Sequence, residues 1–467
     1  MSRRTLLATL SGAAALTAAP VRRPNVVIFM TDDHGAWATG AYGAKDIHTP
    51  NIDALARTGV RFLNAFAATP VCSPSRMTYM TGTLPSTHGI QDWLMPISSY
   101  GEESKAWLDG LPAWAGHLHG AGYTMGFSGK WHMGNDATPQ LGFSDWSTVP
   151  GGGGTYLSPE FVHNGQKVKP DRFKTDTVGD YALEFLEKQR GKQGPFCLFV
   201  PFYAPHTPFD ATPAEYSDGY KDSTFPDYPD LPPRKGVELR LGQFIGNRAA
   251  KHGYSSLITA ADANVGRVVR KLEEMGVRGE TLVIFTADQG YNAGQHGIWG
   301  KGNGTRPFNM FEESIRVPMI WNHPAMTGKP RVEPAMVSSY DFFPTLLDYL
   351  HVPYRMLKTQ PGQSYAGLLR GDGKVPKRDR LYFEYEYVRA VRTRNLKLVQ
   401  RVEGYPSELY DLEADPGEDK DLIDDPQYAK QRKALEADLA RFFAGIGAPP
   451  IEKWQSTVRH RLPELPR

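Results

Sequence analysis

The sequence predicts an α/β fold built on a large, mostly parallel sheet, followed by a small antiparallel sheet with one helix. Three observations carry this prediction. Short apolar runs alternate with helical patterns from residue 25 to about residue 350, and strand–helix alternation is what a parallel sheet requires. The first run, Asn25-Val-Val-Ile-Phe-Met30, is continuously apolar and β-branched, as suits a strand buried on both faces. After about residue 375 the pattern changes to short strand-like pieces joined by turn residues.

Taken in order, residues 1–20 (MSRRTLLATLSGAAALTAAP) place Arg3 and Arg4 before an alanine-rich apolar run that ends in Thr17-Ala18-Ala19. That is the layout of an export signal, cleaved near residues 20–23, and the paired arginines resemble a twin-arginine signal. The run is too short to span a bilayer comfortably, and no other segment is apolar and long enough. The mature chain is therefore expected outside the cytoplasm of a bacterial-type cell, periplasmic or extracellular. Strands are expected at 25–30, 123–127, 196–203, 281–286 and 317–321. Helices are expected at 50–57, 176–188, 254–275 and 340–350. In the third helix Leu257, Ile258, Ala261, Val265, Val268 and Val269 keep nearly helical spacing. The small sheet is expected from 381–387, 389–393, 396–400 and 408–410, and the last helix from 426–443. The four glycines 151–154 read as a flexible loop. These patterns divide the mature chain into a large domain at 24–370 and a C-terminal subdomain at 375–467.

Composition narrows the function. A net charge of +2 from 53 basic and 51 acidic residues gives no global field, which argues against nucleic acid or an anionic membrane as partner. Two cysteines among 467 residues cannot build a disulfide framework. The 47 glycines and 37 prolines imply long ordered loops, where sites tend to sit.

Polar groups gather after four of the expected strands. The first ends in Thr31-Asp32-Asp33-His34, the second in Gly129-Lys130-Trp131-His132, the third in Ala204-Pro205-His206 and the fourth in Ala287-Asp288-Gln289. Ligands of open α/β sheets bind outside the carboxyl ends of strands. Asp32, Asp33, Asp288 and Gln289 make a set of hard oxygen donors, which suits Ca²⁺ or Mg²⁺ rather than zinc. Arg76, Lys130, His132, His206 and Lys301 add positive or imidazole groups, and a divalent metal among such groups makes a pocket for a sulfate or phosphate. Cys72 lies in Cys-Ser-Pro-Ser-Arg, with Ser73 as expected helix cap and Pro74 as first helical residue. A helix start stabilises a thiolate and any oxyanion beside it. Trp93, Trp146 and Trp299 lie near these motifs, where they would stack on a ring of a ligand or pack in the core.

In this order the motifs resemble the type I sulfatases of the alkaline phosphatase superfamily, over nearly the whole mature chain. The likeness runs from NVVIFMTDDHG through CSPSRMTYMTG, GYTMGFSGKWHMG, APHTPF and IFTADQGYNAGQHGIWGKG to FEESIRVPMI and LYDLEADPGEDKDL. The resemblance implies an alkaline-phosphatase-like mixed sheet sandwiched by helices. It also implies that a separate maturation enzyme oxidises Cys72 to Cα-formylglycine, whose hydrated diol attacks sulfur and later expels sulfate by collapse to the aldehyde. Asp32, Asp33, Asp288 and Gln289 would hold Ca²⁺, with Mg²⁺ second, together with an oxygen of modified Cys72. Asp288 is the implied proton acceptor from the attacking hydroxyl. Arg76 and Lys130 would orient the diol, His132 would act as base in sulfate release, and His206 and Lys301 would contact the sulfate, His206 protonating the leaving group. Gln289 stands where asparagine or histidine is frequent in the family. Asn303 and Arg306 are further candidates for substrate contact. The implied substrate is a sulfated carbohydrate. Two other readings share these motifs: a phosphonate monoester or phosphodiester hydrolase, and a non-catalytic glycan binder.

Overall fold

The computed structural model describes residues 23–325, 329–371 and 378–454. Residues 1–20, read above as an export signal, lie outside the described residues. Ten strands make the large sheet: β1 (Asn25–Thr31), β2 (Val60–Phe66), β3 (Thr124–Gly129), β4 (Phe143–Thr148), β5 (Phe161–His163), β6 (Gln166–Val168), β7 (Phe196–Pro201), β8 (Thr281–Ala287), β9 (Met319–Asn322) and β10 (Arg331–Ser338). Their spatial order is β10-β2-β9-β8-β1-β7-β3-β4-β5-β6. Strand β1 pairs in parallel with β7 and β8, and β3 in parallel with β4 and β7. Against this direction run β9, antiparallel to β2 and β8, and β5, antiparallel to β4 and β6. The sheet is mixed and mostly parallel, as expected.

A search for continuous apolar runs leaves out β2, β4, β5, β6 and β10. Each has a physical reason. β2 (VRFLNAF) and β4 (FSDWST) carry polar residues on partly exposed positions. β5 and β6 are three residues each, and β10 alternates because it closes one edge of the sheet.

Helices cover both faces. They are α1 (Pro50–Thr58), α2 (Cys72–Thr81), α3 (Trp114–Gly120), α4 (Lys174–Gln189), α5 (Arg248–Glu274) and α6 (Phe342–Tyr349). Alternate side chains of β1 serve opposite cores. Val26, Ile28 and Met30 pack with Met77, Trp114 and Phe342 of α2, α3 and α6. Val27 and Phe29 pack with Leu55, Leu186 and Leu257 of α1, α4 and α5. Each such buried side chain stabilises the fold by roughly 1.5–3 kcal/mol.

The small sheet is an antiparallel meander of β11 (Arg380–Tyr385), β12 (Val388–Thr393), β13 (Leu396–Arg401) and β14 (Glu408–Asp411). Helix α7 (Ala429–Gly445) lays Leu435, Leu439 and Phe443 on it. The helix begins later than the sequence suggests, because Asp425 caps a separate 3-10 turn at Pro426–Tyr428. The core under this sheet also takes in Phe66, Val71, Phe308 and Met310. The small sheet therefore packs directly behind the segments that enter and leave the strand-end region.

Candidate active site

Strands β8, β1, β7 and β3 are consecutive in the sheet and parallel. Their carboxyl ends therefore bring Asp288 and Gln289, Asp32 and Asp33, His206, and Lys130 and His132 to one edge. β2 points the same way and passes the chain to α2, whose first residue is Cys72. The helix starts two residues earlier than the sequence suggests. Val71, extended at φ −151° and ψ 144°, takes the cap position. Pro74 is tolerated in the first turn because its missing N–H would have no intrahelical acceptor. Ser73 Oγ instead accepts from the Leu94 N–H at 3.0 Å.

The Cys72 sulfur is almost fully buried. It lies 3.2 Å from Asp32 Oδ1, 2.7 Å from Lys301 Nζ and 3.8 Å from Gln289 Nε2. Burial, and after it the Asp32 charge, push this thiol up to about 12 despite Lys130 and Lys301. Desolvation and the Asp32 carboxylate thus oppose the helix start and the ammonium groups that favour a thiolate. Cys72 is a thiol here, so as a sulfur nucleophile it is poorly activated.

Three buried carboxylates face three buried cations. Lys130 Nζ pairs closely with Asp32 Oδ2, and Arg76 joins Asp288 Oδ2 through Nε at 2.9 Å and Nη2 at 2.8 Å. Lys301 Nζ reaches Asp33 Oδ1 at 2.5 Å. Burial would raise the Asp32 carboxyl, but Lys130, with Lys301, His206 and Arg76 behind it, holds it well below the usual carboxylate range. For Asp288, burial and the Asp32 charge win over Arg76 and move it up to about 7. The backbone of Asp33 is left-handed at φ 66°, and Tyr254 Oη donates to its carbonyl at 2.7 Å.

Both histidines have one nitrogen fixed. His132 Nε2 is 2.7 Å from the Leu94 carbonyl, which only accepts, so Nε2 carries a proton. Its Nδ1 is buried without a hydrogen-bond partner. Burial and Lys130 hold His132 well below the usual imidazole range. His206 Nδ1 likewise donates to Thr207 O at 2.7 Å and leaves Nε2 3.7 Å from Asp33 Oδ2. Burial brings His206 down to about 4. Gly129, at φ 137°, begins the Lys130–His132 turn, and a Cβ there would lie 1.9 Å from Pro201 O. Only glycine lets β3 end so close to β7.

A cleft of about 320 Å³ opens over Cys72, Lys130, His132, His206 and Lys301. Asn303 lines it, and Arg306 is not among its lining residues. The Arg306 guanidinium lies 4.0 Å over the Phe308 ring and donates to the carbonyls of Asn303 and Thr305. Trp93 lines the cleft, whereas Trp146 and Trp299 are core residues at 0% and 1% exposure. The reading of 151–154 as a flexible loop is replaced by a packed wall: Gly151 and Gly152 are buried and line the cleft. Tyr203, Tyr291 and Arg240 also line it. Sequence reasoning passes over them: Tyr203 and Tyr291 read as parts of an apolar run and a motif with more reactive neighbours, and Arg240 sits in a long connection.

The donor set fits a hard divalent cation. Asp32, Asp33 and Asp288 are at most 2% exposed, and Gln289 Oε1 is buried with no partner. Ligand atoms of Asp32, Cys72 and His206 lie within 4.8 Å of one another. Carboxylate and amide oxygens suit Ca²⁺ or Mg²⁺.

Buried oxygen donors faced by cations, at the strand ends of such a sheet, define a hydrolase acting on oxyanion esters. The sulfatase family model matches residues 24–352, and a model described as N-sulphoglucosamine sulphohydrolase, C-terminal, matches residues 294–444. The chain belongs to the type I sulfatases of the alkaline phosphatase superfamily, and is a sulfuric ester hydrolase. It is 28% identical to an N-acetylglucosamine-6-O-sulfatase of Bacteroides thetaiotaomicron, over 89% of this chain and 85% of that one. It is 27% identical to an ulvan-active sulfatase of Formosa agariphila, over 91% and 82%. A solved sulfatase structure in complex with its substrate D-glucosamine-2-N,6-O-disulfate superimposes with a TM-score of 0.80 at 26% identity, covering 92% of this chain and all of that one.

Proposed function

We propose that this chain removes sulfate from a carbohydrate sulfate ester, using Cys72 in its formylglycine form and a divalent metal, Ca²⁺ before Mg²⁺. The observation that carries this is the place of Cys72: first residue of α2, with its sulfur between Asp32 and Lys301 under the cleft. A modified Cys72 supplies an oxygen nucleophile that the thiol at this site does not. A metal held by Asp32, Asp33, Asp288 and Gln289 supplies Lewis acidity toward the sulfate.

The remaining chemistry falls to the side chains. Lys301 and Lys130 meet the negative charge of the sulfate at the mouth of the carboxylate cluster. Arg76 holds Asp288 in place with a hydrogen bond from Nε and an ion pair through Nη2. Asp288, beside the Cys72 position and held by Arg76, would take the proton of the attacking hydroxyl. His132 accepts a proton at its free Nδ1 while Leu94 O keeps the ring oriented. His206 presents Nε2 toward the cleft. A bound sulfate beside it raises its proton affinity, and the proton it then carries goes to the leaving oxygen. Asn303, at the wall, would meet a sugar hydroxyl. Arg306 would need to leave the Phe308 ring to take part.

Carbohydrate as substrate is supported by the sugar named in the relatives above and by Trp93 at the cleft wall. Export, with maturation by a separate enzyme, belongs to the same proposal.

The test compares hydrolysis of an aryl sulfate and an aryl phosphonate, with mass spectrometry of the Cys72 peptide from the native host. We expect the sulfate to be preferred, the aldehyde or its hydrate at position 72, and Cys72→Ala to lose at least about 10³-fold in kcat. A phosphonate preference, or full activity with an intact thiol, would overturn the reading. A panel of sulfated mono- and oligosaccharides then identifies the sugar.

A further inference from the structure

Two buried charged residues outside the catalytic set, Asp136 and Lys174, bind the same glycine segment, 151–154. Asp136 is fully buried. Its Oδ2 accepts from the Gly151 N–H at 3.1 Å and from Ser99 Oγ at 2.7 Å, and its Oδ1 has no partner. Lys174, first residue of α4, is 1% exposed. Its Nζ donates to Gly153 O at 3.0 Å and Gly154 O at 2.8 Å, 4.0 Å above the Tyr203 ring.

Among the described residues, neither is bonded to a side chain of opposite charge; the bonds just given are to backbone and one hydroxyl. Burial accordingly raises the Asp136 carboxyl and lowers the Lys174 ammonium, each to about 7. An unpaired buried charge is costly to a fold, so the backbone it binds must be worth fixing. Both grip one segment, Asp136 at its start and Lys174 at its end. Four glycines have no side chains to anchor them and the greatest conformational freedom to lose. Through Ser99 the Asp136 carboxylate also ties down the short helix Pro96–Ser99, whose Pro96 faces Gly151 across the cleft lining. Gly152, between the two grips, abuts the His132 ring.

We infer that Asp136 and Lys174 are positioning residues that latch the 151–154 segment as a rigid wall of the cleft, setting its shape beside His132. This rests on the sulfate-ester reading above and assigns the wall to the sugar. A small aryl sulfate needs the wall less than a sugar sulfate does.

The test combines hydrogen exchange with kinetics on the full chain. In Asp136→Ala and Lys174→Met, backbone exchange across 150–155 should rise about tenfold or more, while β3 and β7 stay protected. KM for N-acetylglucosamine 6-sulfate should rise about tenfold, while kcat on 4-nitrophenyl sulfate stays within about threefold. Lys174→Arg and Asp136→Asn should restore most of both. Unchanged exchange across 150–155 overturns the inference, as does an equal loss on both substrates that the conservative variants do not rescue. Should Asp136→Ala or Lys174→Met lose protection throughout, Lys174→Gln decides by the same exchange readout, with Asp136→Asn expected at the wild-type rate. If the wild type hydrolyses none of the sulfated saccharides of the panel and no aryl sulfate, the proposed function fails, and the exchange data still decide the latch.

Discussion

A methyl group at position 152 is a sharp probe of how closely the site is built. A Cβ there would come within 2.3 Å of His132 Cδ2, on a backbone at φ 67°. Gly152→Ala should cost about 1–3 kcal/mol in stability and lower kcat roughly 10–100-fold as the imidazole is displaced. Thermal unfolding and turnover of the two proteins check this, and wild-type turnover would remove His132 from the chemistry. His88 offers a second probe, of pH. Its Nδ1 accepts from the Ile90 N–H at 3.2 Å, and burial lowers it from 6.5 to about 3. The unfolded chain therefore takes up the proton first as pH falls, so the stability due to neutral His88 is present above pH 6.5 and lost below it. Between pH 7.5 and 5.0 the stability advantage of wild type over His88→Asn should shrink by about 2 kcal/mol, measured by urea unfolding at both values. At this scale the residue types of the site were legible, because Asp, Lys, His and Gln recur after apolar runs. The state of Cys72 was not, since it depends on Asp32 and Lys301, far away in the chain.

The element that presents Lys301 is braced from behind. The chain from 301 leads to Glu312, whose carboxylate pairs with Arg392 at 3.0 Å and Lys397 at 3.1 Å of the small sheet. Lys397 also meets Glu418 at 2.5 Å and donates to Met310 O at 2.7 Å. Removing Glu312 leaves Arg392 buried with no carboxylate and Lys397 with Glu418 alone. Glu312→Ala should therefore destabilise the protein by about 3–5 kcal/mol. It should also lower kcat by loosening the 301–311 segment, which calorimetry and steady-state rates measure together. Intact stability in this variant would show that the small sheet is not a brace. The five strands with continuous apolar runs could be read from sequence. The half-polar and edge strands, and the antiparallel insertion of β9, could not, because pairing direction leaves no local pattern.

For the molecule as a whole, we propose the domain boundary between residues 370 and 375, with the two parts dependent on each other. Phe66, Val71 and Phe308 share a core with β11–β14 and α7. A chain ending at 371 should expose that core and fail to give soluble folded protein; a well-folded monomer by circular dichroism would refute this. A bound metal stabilises only the folded form, by about 2.7 kcal/mol at a hundred times its Kd. Chelation should therefore lower Tm by several degrees and abolish turnover, and added Ca²⁺ should restore both. No helix among the described residues is long and apolar enough to cross a membrane.

The enclosure of Cys72 also has a timetable. Of its polar neighbours, Asp32 precedes it in the chain, whereas Lys301 follows 229 residues later. At ribosomal speeds of about 5–20 residues per second, those residues take roughly 10–45 s to be made. Until they arrive, the thiol stands uncovered on that side. If Cys72 is matured as proposed, the growing chain would offer this sulfur at its most accessible, and slower synthesis between residues 72 and 301 would widen that opportunity.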